Sequence, residues 1–293
     1  MNHFERIRKL AIKALFADDY LMDRLVLKGA SALAYAYLLP NRASVDVDVS
    51  INGDFDELFE SIENRLHEAF LRTFRDDQLV PFDMELSKVP ARSRPGSSTI
   101  WGGYRFEFKV LERSKFEATK VPENRSRQAL VLNSRQDRVF RIDISKFEYC
   151  NSKVTVEIDS HIIYVYTPAM IVMEKLRAIC QQMTEYLQRT NRTPRARDFF
   201  DIYQTLNTPS TSFDPYTDDN LKLLREMFRI KEVPIELLKN ITNYRDYHAQ
   251  DWSSVEPTID ASVAKLKFDE YFDFTSDLAA KLFERLSSLD MTE

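Results

Sequence analysis

Lys28-Gly29-Ala30-Ser31 and, a little further on, Ser44-Val45-Asp46-Val47-Asp48-Val49-Ser50 decide how this chain is read. Val45, Val47, Val49 and Ile51 alternate with Asp46, Asp48 and Ser50. That period of two predicts a strand with one apolar face. Asp46 and Asp48 then leave the strand on the same side, about 7 Å apart along the backbone. Carboxylates so placed repel each other unless a cation lies between them. A hard divalent ion with oxygen ligands, Mg²⁺ or Mn²⁺, is the natural occupant, and such an ion can also grip the phosphates of a nucleotide.

Upstream, Leu25-Val26-Leu27 runs into Lys28-Gly29-Ala30-Ser31 and then an apolar helical run to Leu39. Gly29 permits a tight turn, and a helix start offers unpaired N–H groups and a positive dipole end that suit a phosphate. The Ser31 hydroxyl adds one more donor. An anion cradle followed by a paired-carboxylate strand points to a triphosphate held between backbone amides and metal.

A chain of 293 residues, 44% hydrophobic and 30% charged, has room for one large core or two lobes of a globular protein. No apolar run approaches the ~18 residues of a membrane span. The opening Met1-Asn2-His3-Phe4-Glu5 lacks the pattern of a signal peptide. Cys150 and Cys180, with no CxxC and no neighbouring histidines, suggest neither a disulfide framework nor a zinc site, so the cytoplasm is the simplest compartment. The net charge of −5 is unevenly spread, because Lys88 to Arg141 holds 13 basic and 5 acidic residues. This block reads in two ways. It is a polyanion surface in which Trp101, Tyr104, Phe106, Phe108 and Phe116 stack bases. Or Tyr104, Phe106, Phe108 and Val110, alternating with Arg105, Glu107 and Lys109, simply pack as a strand.

Taken in order, Phe4 to Phe16 has the spacing of an amphipathic helix. Asn52-Gly53-Asp54 forms a turn, with Asp54 able to cap a helix running to about Arg75. Strands are expected over Leu79 to Leu86, Tyr104 to Val110 and Arg138 to Phe147, and a further hairpin or strand over Val154 to Val165. Ala91 to Gly103 reads as a mobile basic loop, and Pro122-Glu123-Asn124 as a polar turn. Asp143 stands alone on the polar side of its strand. Beyond Thr167-Pro168, a good helix opening, nearly everything is helical. The chain therefore reads as α+β: residues 1–166 a small mixed sheet flanked by helices, residues 167–293 a helical domain completing the active-site cleft.

In that second half Lys175 sits at the edge of the apolar stripe Val172, Leu176, Ile179 and Met183, where a lysine either snorkels outward or points its charge into a cleft. Asp198 and Asp201 share a face of the helix that Thr193-Pro194 opens. On the residues alone Lys175 with Asp198 reads first as a structural ion pair between helices, and Asp198 as a complement to a helix dipole.

A small-residue turn, a helix and then Asp-x-Asp on a strand resembles the signature of the polymerase-beta-like nucleotidyltransferases. Lys28-Gly29-Ala30-Ser31-Ala32-Leu33, with Arg42 and Ser44 ahead of Asp46 and Asp48, is similar to one branch of them, the AbiEii/AbiGii toxins of type IV toxin–antitoxin pairs. Ala30 stands where the commoner form has a second glycine. Glu174-Lys175-Leu176-Arg177-Ala178 and Arg197-Asp198-Phe199-Phe200-Asp201-Ile202-Tyr203 resemble the family's second pair of motifs. The likeness runs from Val26 to Tyr203 and, loosely, on through Trp252 and the stretch Phe268 to Leu286. It implies a nucleotide-binding group of Lys28, Gly29, Ser31 and Asp46, and metal ligands Asp46, Asp48 and Asp143. It also implies catalytic roles for Asp48, Lys175, Asp198 and Asp143, with Asp143 or Asp198 nearest to the base. It further implies transfer of a nucleoside monophosphate from an NTP to an acceptor such as a tRNA 3′ end, in an abortive-infection system whose antitoxin acts without a stable complex. Two alternatives use the same residues: a nucleotide- or RNA-binding module that transfers nothing, and a kinase, which releases diphosphate rather than pyrophosphate. On the residues alone, Asp143 is as readily a solvent-facing side chain.

Overall fold

In a computed structural model the chain is described over residues 3–39, 46–91, 100–132 and 136–290. It is a mixed α+β protein, divided into two compact units: Met1–Leu27 with Val45–Val165, and Lys28–Ser44 with Tyr166–Glu293. The turn and helix that begin at Lys28 thus belong with the C-terminal helices, although sheet strands lie on both sides of them in sequence.

The first unit holds helices α1 (His3–Leu15) and α2 (Asp19–Arg24), then the short strand β1 (Val26–Leu27). The second unit's α3 (Gly29–Tyr35) intervenes in sequence before β2 (Val47–Ser50), α4 (Phe59–Arg75), β3 (Leu79–Val89) and β4 (Gly103–Glu112). There follow α5 (Arg113–Ala118), α6 (Pro122–Gln128), β5 (Phe140–Ser145), β6 (Val154–Ile158) and β7 (His161–Val165). The strands form one seven-stranded sheet in the order β3-β4-β5-β2-β1-β7-β6. The pairs β2–β5 and β1–β7 are parallel and the others antiparallel.

Period-two patterning sets the faces. Phe106, Phe108 and Phe140 are fully buried, and they meet Phe70 and Phe74 of α4 and Phe4 of α1 in a continuous aromatic layer. Phe70 lies 4.9 Å from Phe106 and 5.1 Å from Phe108, edge-on, the geometry aromatic quadrupoles favour. Phe106 and Phe108 are therefore core residues and offer no face to a base. Phe116, also in the basic block, packs against Phe82 and beneath the Arg125 guanidinium. Gly103 opens β4 opposite Ser145 because a Cβ there would stand 1.9 Å from the Ile144 carbonyl oxygen.

Two local expectations give way. Asp54 does not cap α4, which starts only at Phe59 with Leu58 as an uncapped N-cap. The Asp54 carboxylate instead accepts from Tyr104 Oη at 2.7 Å, Lys146 Nζ at 2.6 Å and the Phe55 N–H at 2.8 Å, so its acceptors are used before the helix begins. The polar stretch around Pro122 is helical, with the proline at the first position, where its missing N–H costs nothing. Residues 92–99 of the expected basic loop lie outside the described residues, as do Arg42 and Ser44.

The second unit adds α7 (Pro168–Cys180), α8 (Ala196–Asn207) and α9 (Asp218–Arg229), a 3₁₀ stretch (Ile235–Tyr244), α10 (Arg245–Ala249), α11 (Trp252–Val255), a second 3₁₀ turn (Glu256–Thr258) and α12 (Phe268–Asp290). Thr167 caps α7 by accepting the Met170 N–H, with Pro168 following it. α7 is buried on nearly every side, and α8 and α9 pack on it. α12 lies on α8 through Phe199, Phe200, Phe268, Tyr271 and Phe272. Among the described residues no helix is long and apolar enough to cross a membrane.

Candidate active site

The polar side of the first unit's sheet carries a ladder of charges. Parallel pairing puts Asp48 of β2 beside Asp143 of β5, and antiparallel pairing puts Asp143 beside Arg105 of β4. One step along, Arg141 faces Glu107. Arg105 grips Asp143 through Nε at 2.8 Å and Nη2 at 3.2 Å, and Arg141 Nε reaches Glu107 at 2.8 Å. Asp46 enters β2 from a bend and is half-buried. Burial, then Asp48, then Asp143 raise its pKa, with Arg141 and Arg105 opposing. Asp46 thus feels the other two carboxylates as like charges, an effect that a divalent cation would relieve.

The donors fit such an ion in a restricted sense. Among the described residues no group of three His, Cys, Asp or Glu side chains stands ready to hold a metal, and Asp143 is already committed to Arg105. Magnesium, however, is commonly bound by one or two carboxylates completed by substrate phosphates rather than by an all-protein cage. Asp46 and Asp48 match that pattern.

In the second unit Gly29 has φ +63°, a left-handed conformation that favours glycine, at the first position of α3. Lys28 before it is extended and offers no side-chain cap. Lys28 and Ser31 are both buried. Lys28 Nζ lies 3.3 Å from Glu174 Oε1, which also stands 3.5 Å from Arg177 Nη2. Two buried cations thus share this carboxylate beside the glycine turn.

Lys175 does not snorkel. It is 5% exposed, and its Nζ donates to Asp198 Oδ1 at 2.9 Å and Asp201 Oδ2 at 2.6 Å, both carboxylates being buried. Arg195 Nε closes the group on Asp198 Oδ2 at 2.5 Å. Burial alone would raise the Asp198 pKa, but Arg195, Lys175 and Arg197 outweigh it and hold the carboxyl well below the usual carboxylate range. The sequence brings Lys175 and Asp198 together as expected and adds Asp201, whose i,i+3 spacing from Asp198 already placed it on the same face.

The start of α8 has no cap of its own, since Arg195 cannot supply one. Two remote side chains do so: His248 Nδ1 accepts the Arg195 N–H at 3.1 Å, and Asp251 Oδ1 accepts the Ala196 N–H at 3.0 Å. Nothing in the sequence marked either residue. Because Nδ1 accepts, the His248 ring is neutral with its proton on Nε2. Burial pushes its pKa down from 6.5 to about 4, with Asp198 opposing and Arg195 assisting. Below pH 6.5 the unfolded chain takes up a proton that the folded protein refuses until about pH 4. Stability should therefore fall across that window as pH drops, by on the order of 3 kcal/mol. Denaturant titrations at pH 7 and pH 4.5 check this, and His248→Gln should flatten the difference.

A mixed sheet carrying an Asp-x-Asp strand, and a helical unit with a buried Lys–Asp pair, describe a nucleotidyltransferase. The chain belongs to the AbiEii nucleotidyltransferase toxins of type IV toxin–antitoxin systems, whose family model matches residues 11–274. Among solved structures it is similar to a nucleotidyltransferase candidate of Helicobacter pylori, with 18% identity and a TM-score of 0.50 over 99% of this chain and 98% of that one. It is also similar to JHP933 of H. pylori, with 17% identity and a TM-score of 0.48 over 99% and 94%. A third is MenT4, a nucleotidyltransferase toxin of Mycobacterium tuberculosis, with 13% identity and a TM-score of 0.42 over 97% and 86%. At these identities the first likeness speaks to the fold alone. No curated protein matches the chain significantly. Family membership makes the chain an enzyme and implies a nucleoside triphosphate substrate and a cognate antitoxin.

Proposed function

We propose that this toxin is a divalent-metal-dependent transferase that moves a nucleoside monophosphate from an NTP to an RNA acceptor, with a tRNA 3′ end as the acceptor we favour. Asp46 and Asp48 would hold the ion, Mg²⁺ or Mn²⁺, together with the substrate phosphates. When bound, such an ion supplies charge neutralisation at the α-phosphorus and the departing pyrophosphate. The observation that supports the reading is the register that sets Asp48 beside Asp143, with both acting as like charges on the half-buried Asp46, in a chain of this family.

The protein's own groups have these roles. Gly29 and Ser31, with Lys28, receive the triphosphate, and the positive φ at Gly29 turns the backbone for it. Lys175, fixed by Asp198, neutralises phosphate charge as a point-charge donor. Asp198 stays ionised throughout the physiological range, which suits it to orienting Lys175 better than to taking up a proton. Asp143 is restrained by Arg105 and would act as third ligand or base only on leaving that pair. The toxin would act in the cytoplasm during abortive infection, with its antitoxin working without a stable complex.

Purified protein incubated with total RNA and each α-labelled NTP tests this. Label is expected in a small RNA band, with release of pyrophosphate and dependence on Mg²⁺ or Mn²⁺ that chelation abolishes. Diphosphate release would identify a kinase instead, and label in protein would overturn the RNA acceptor.

A further inference from the structure

Arg189, Arg192, Arg195 and Arg197 fall within nine residues, on the connection from α7 into α8 and its first turn. So many like charges need a counter-charge. Arg195 has one in Asp198. Arg189 and Arg192, among the described residues, have no carboxylate. Arg189 Nε donates to the Asn191 carbonyl at 2.8 Å. Arg192 Nε donates to the Met183 carbonyl at 3.0 Å, and its Nη2 to those of Thr184 and Tyr186 at 3.4 Å each. Nearby acids are engaged elsewhere: Glu185 accepts from Tyr244, Thr184 and Asn240, and Glu232 from Gln188.

The guanidiniums press on one another. Arg189 is half-buried, and its pKa is lowered first by burial and then by Arg195 and Arg192. Tyr247 feels the charges of Arg189 and Arg192. Its ring centroid lies 5.1 Å from His248, the residue that accepts the Arg195 N–H. The Tyr247 hydroxyl is enclosed and has no hydrogen-bond partner. Half-buried arginines held only by carbonyls, beside a phenol with nothing to bond, are the donor set of an anion site, and the planar Arg fork suits phosphate best.

We propose that Arg189, Arg192 and the Tyr247 hydroxyl bind a phosphate group, carried either by the polyphosphate of the nucleotide or by the backbone of the acceptor. Through Arg195 this subsite is continuous with Lys175 and Asp198. Its part in transfer rests on the function proposed above, whereas its ability to bind phosphate does not. Arg192 also pins the turn at Met183 to Tyr186, so the informative variants are Arg189→Gln and Tyr247→Phe.

Full-length protein is titrated calorimetrically with tripolyphosphate and, separately, with a single-stranded RNA of about 12 nucleotides at two salt concentrations. Each variant should weaken at least one probe about tenfold, with Arg189→Lys recovering part of the loss. Melting temperatures should hold or rise, because one change removes like-charge crowding and the other an unpartnered hydroxyl. Loss confined to tripolyphosphate assigns the subsite to the nucleotide. Loss confined to RNA, with a log K against log salt slope shallower by about 1 for Arg189→Gln, assigns it to the acceptor. Undiminished affinity for both probes in both variants overturns the proposal. A protein that binds tripolyphosphate through Arg189 yet transfers no nucleotide keeps the subsite and rejects the proposed reaction, and active transfer with undiminished affinities does the reverse.

Discussion

Asp48→Asn should lower nucleotide transfer by about three orders of magnitude while leaving the protein as stable as before, or more so. The two halves of that expectation come from one fact. Asp48 sits beside Asp143 across β2 and β5, and its charge raises the pKa of Asp46. To Asp46 the Asp48 carboxylate is a like charge, so removing that charge eases Asp46, and the asparagine keeps the volume and an accepting oxygen. In the working enzyme the same charge would be half of the two-carboxylate grip on a divalent ion, and loss of electrostatic stabilisation at the reacting phosphorus costs a factor of about 10³. Transfer of α-label measures the first half and a thermal melt the second. An Asp48→Asn protein that melts early would mean that the residue is structural, and one that still transfers label would remove Asp46 and Asp48 from the chemistry. The Asp46 carboxyl should also titrate lower in the variant, which NMR can follow.

How much of this was legible beforehand differs by residue type. The Asp-x-Asp strand was readable because alternation with Val47 and Val49 fixes which side each aspartate takes, and both valines are fully buried. The same rule resolved the basic block: Phe106 and Phe108 face the core, while Arg105 and Glu107 face the charge ladder. What alternation cannot give is register. That Arg105 lands on Asp143, and Arg141 on Glu107, depends on which strand lies next to which, so the neutralisation of Asp143 was invisible in the sequence. Asp54 illustrates another limit. Its position suited a helix cap, but Tyr104 and Lys146, distant in sequence, arrive at its carboxylate and the helix starts later. His248 and Asp251 mark the far end of that scale, since they cap a helix whose first residue is more than fifty positions upstream. The Lys175–Asp198 pair was found through its motif, and the choice between an ion pair and a site needs an experiment.

Lys175→Met provides it, with an expected loss of about 3–5 kcal/mol in folding stability. Two carboxylates, Asp198 and Asp201, are closed from solvent at this point and are met by Lys175 and Arg195. Lys175, Asp198 and Asp201 are buried, and the half-buried Arg195 brings a second positive charge to Asp198. Taking out the lysine removes the ammonium that donates to both carboxylates, and breaking a buried ion pair from one side costs that much. Asp201 loses a 2.6 Å partner, whereas Asp198 keeps Arg195. Asp201→Asn added to Lys175→Met removes one charge of each sign and should recover a good part of the stability in urea titration. That recovery separates structure from chemistry. If Lys175 is only half of an ion pair, the double variant regains transfer along with its fold. If the ammonium neutralises phosphate, the double variant folds and remains inactive at saturating NTP. Lys175→Arg adds a third reading, because a guanidinium keeps the charge but cannot present it as a compact point between two oxygens. It should retain more stability than the methionine variant and still fall well short in kcat.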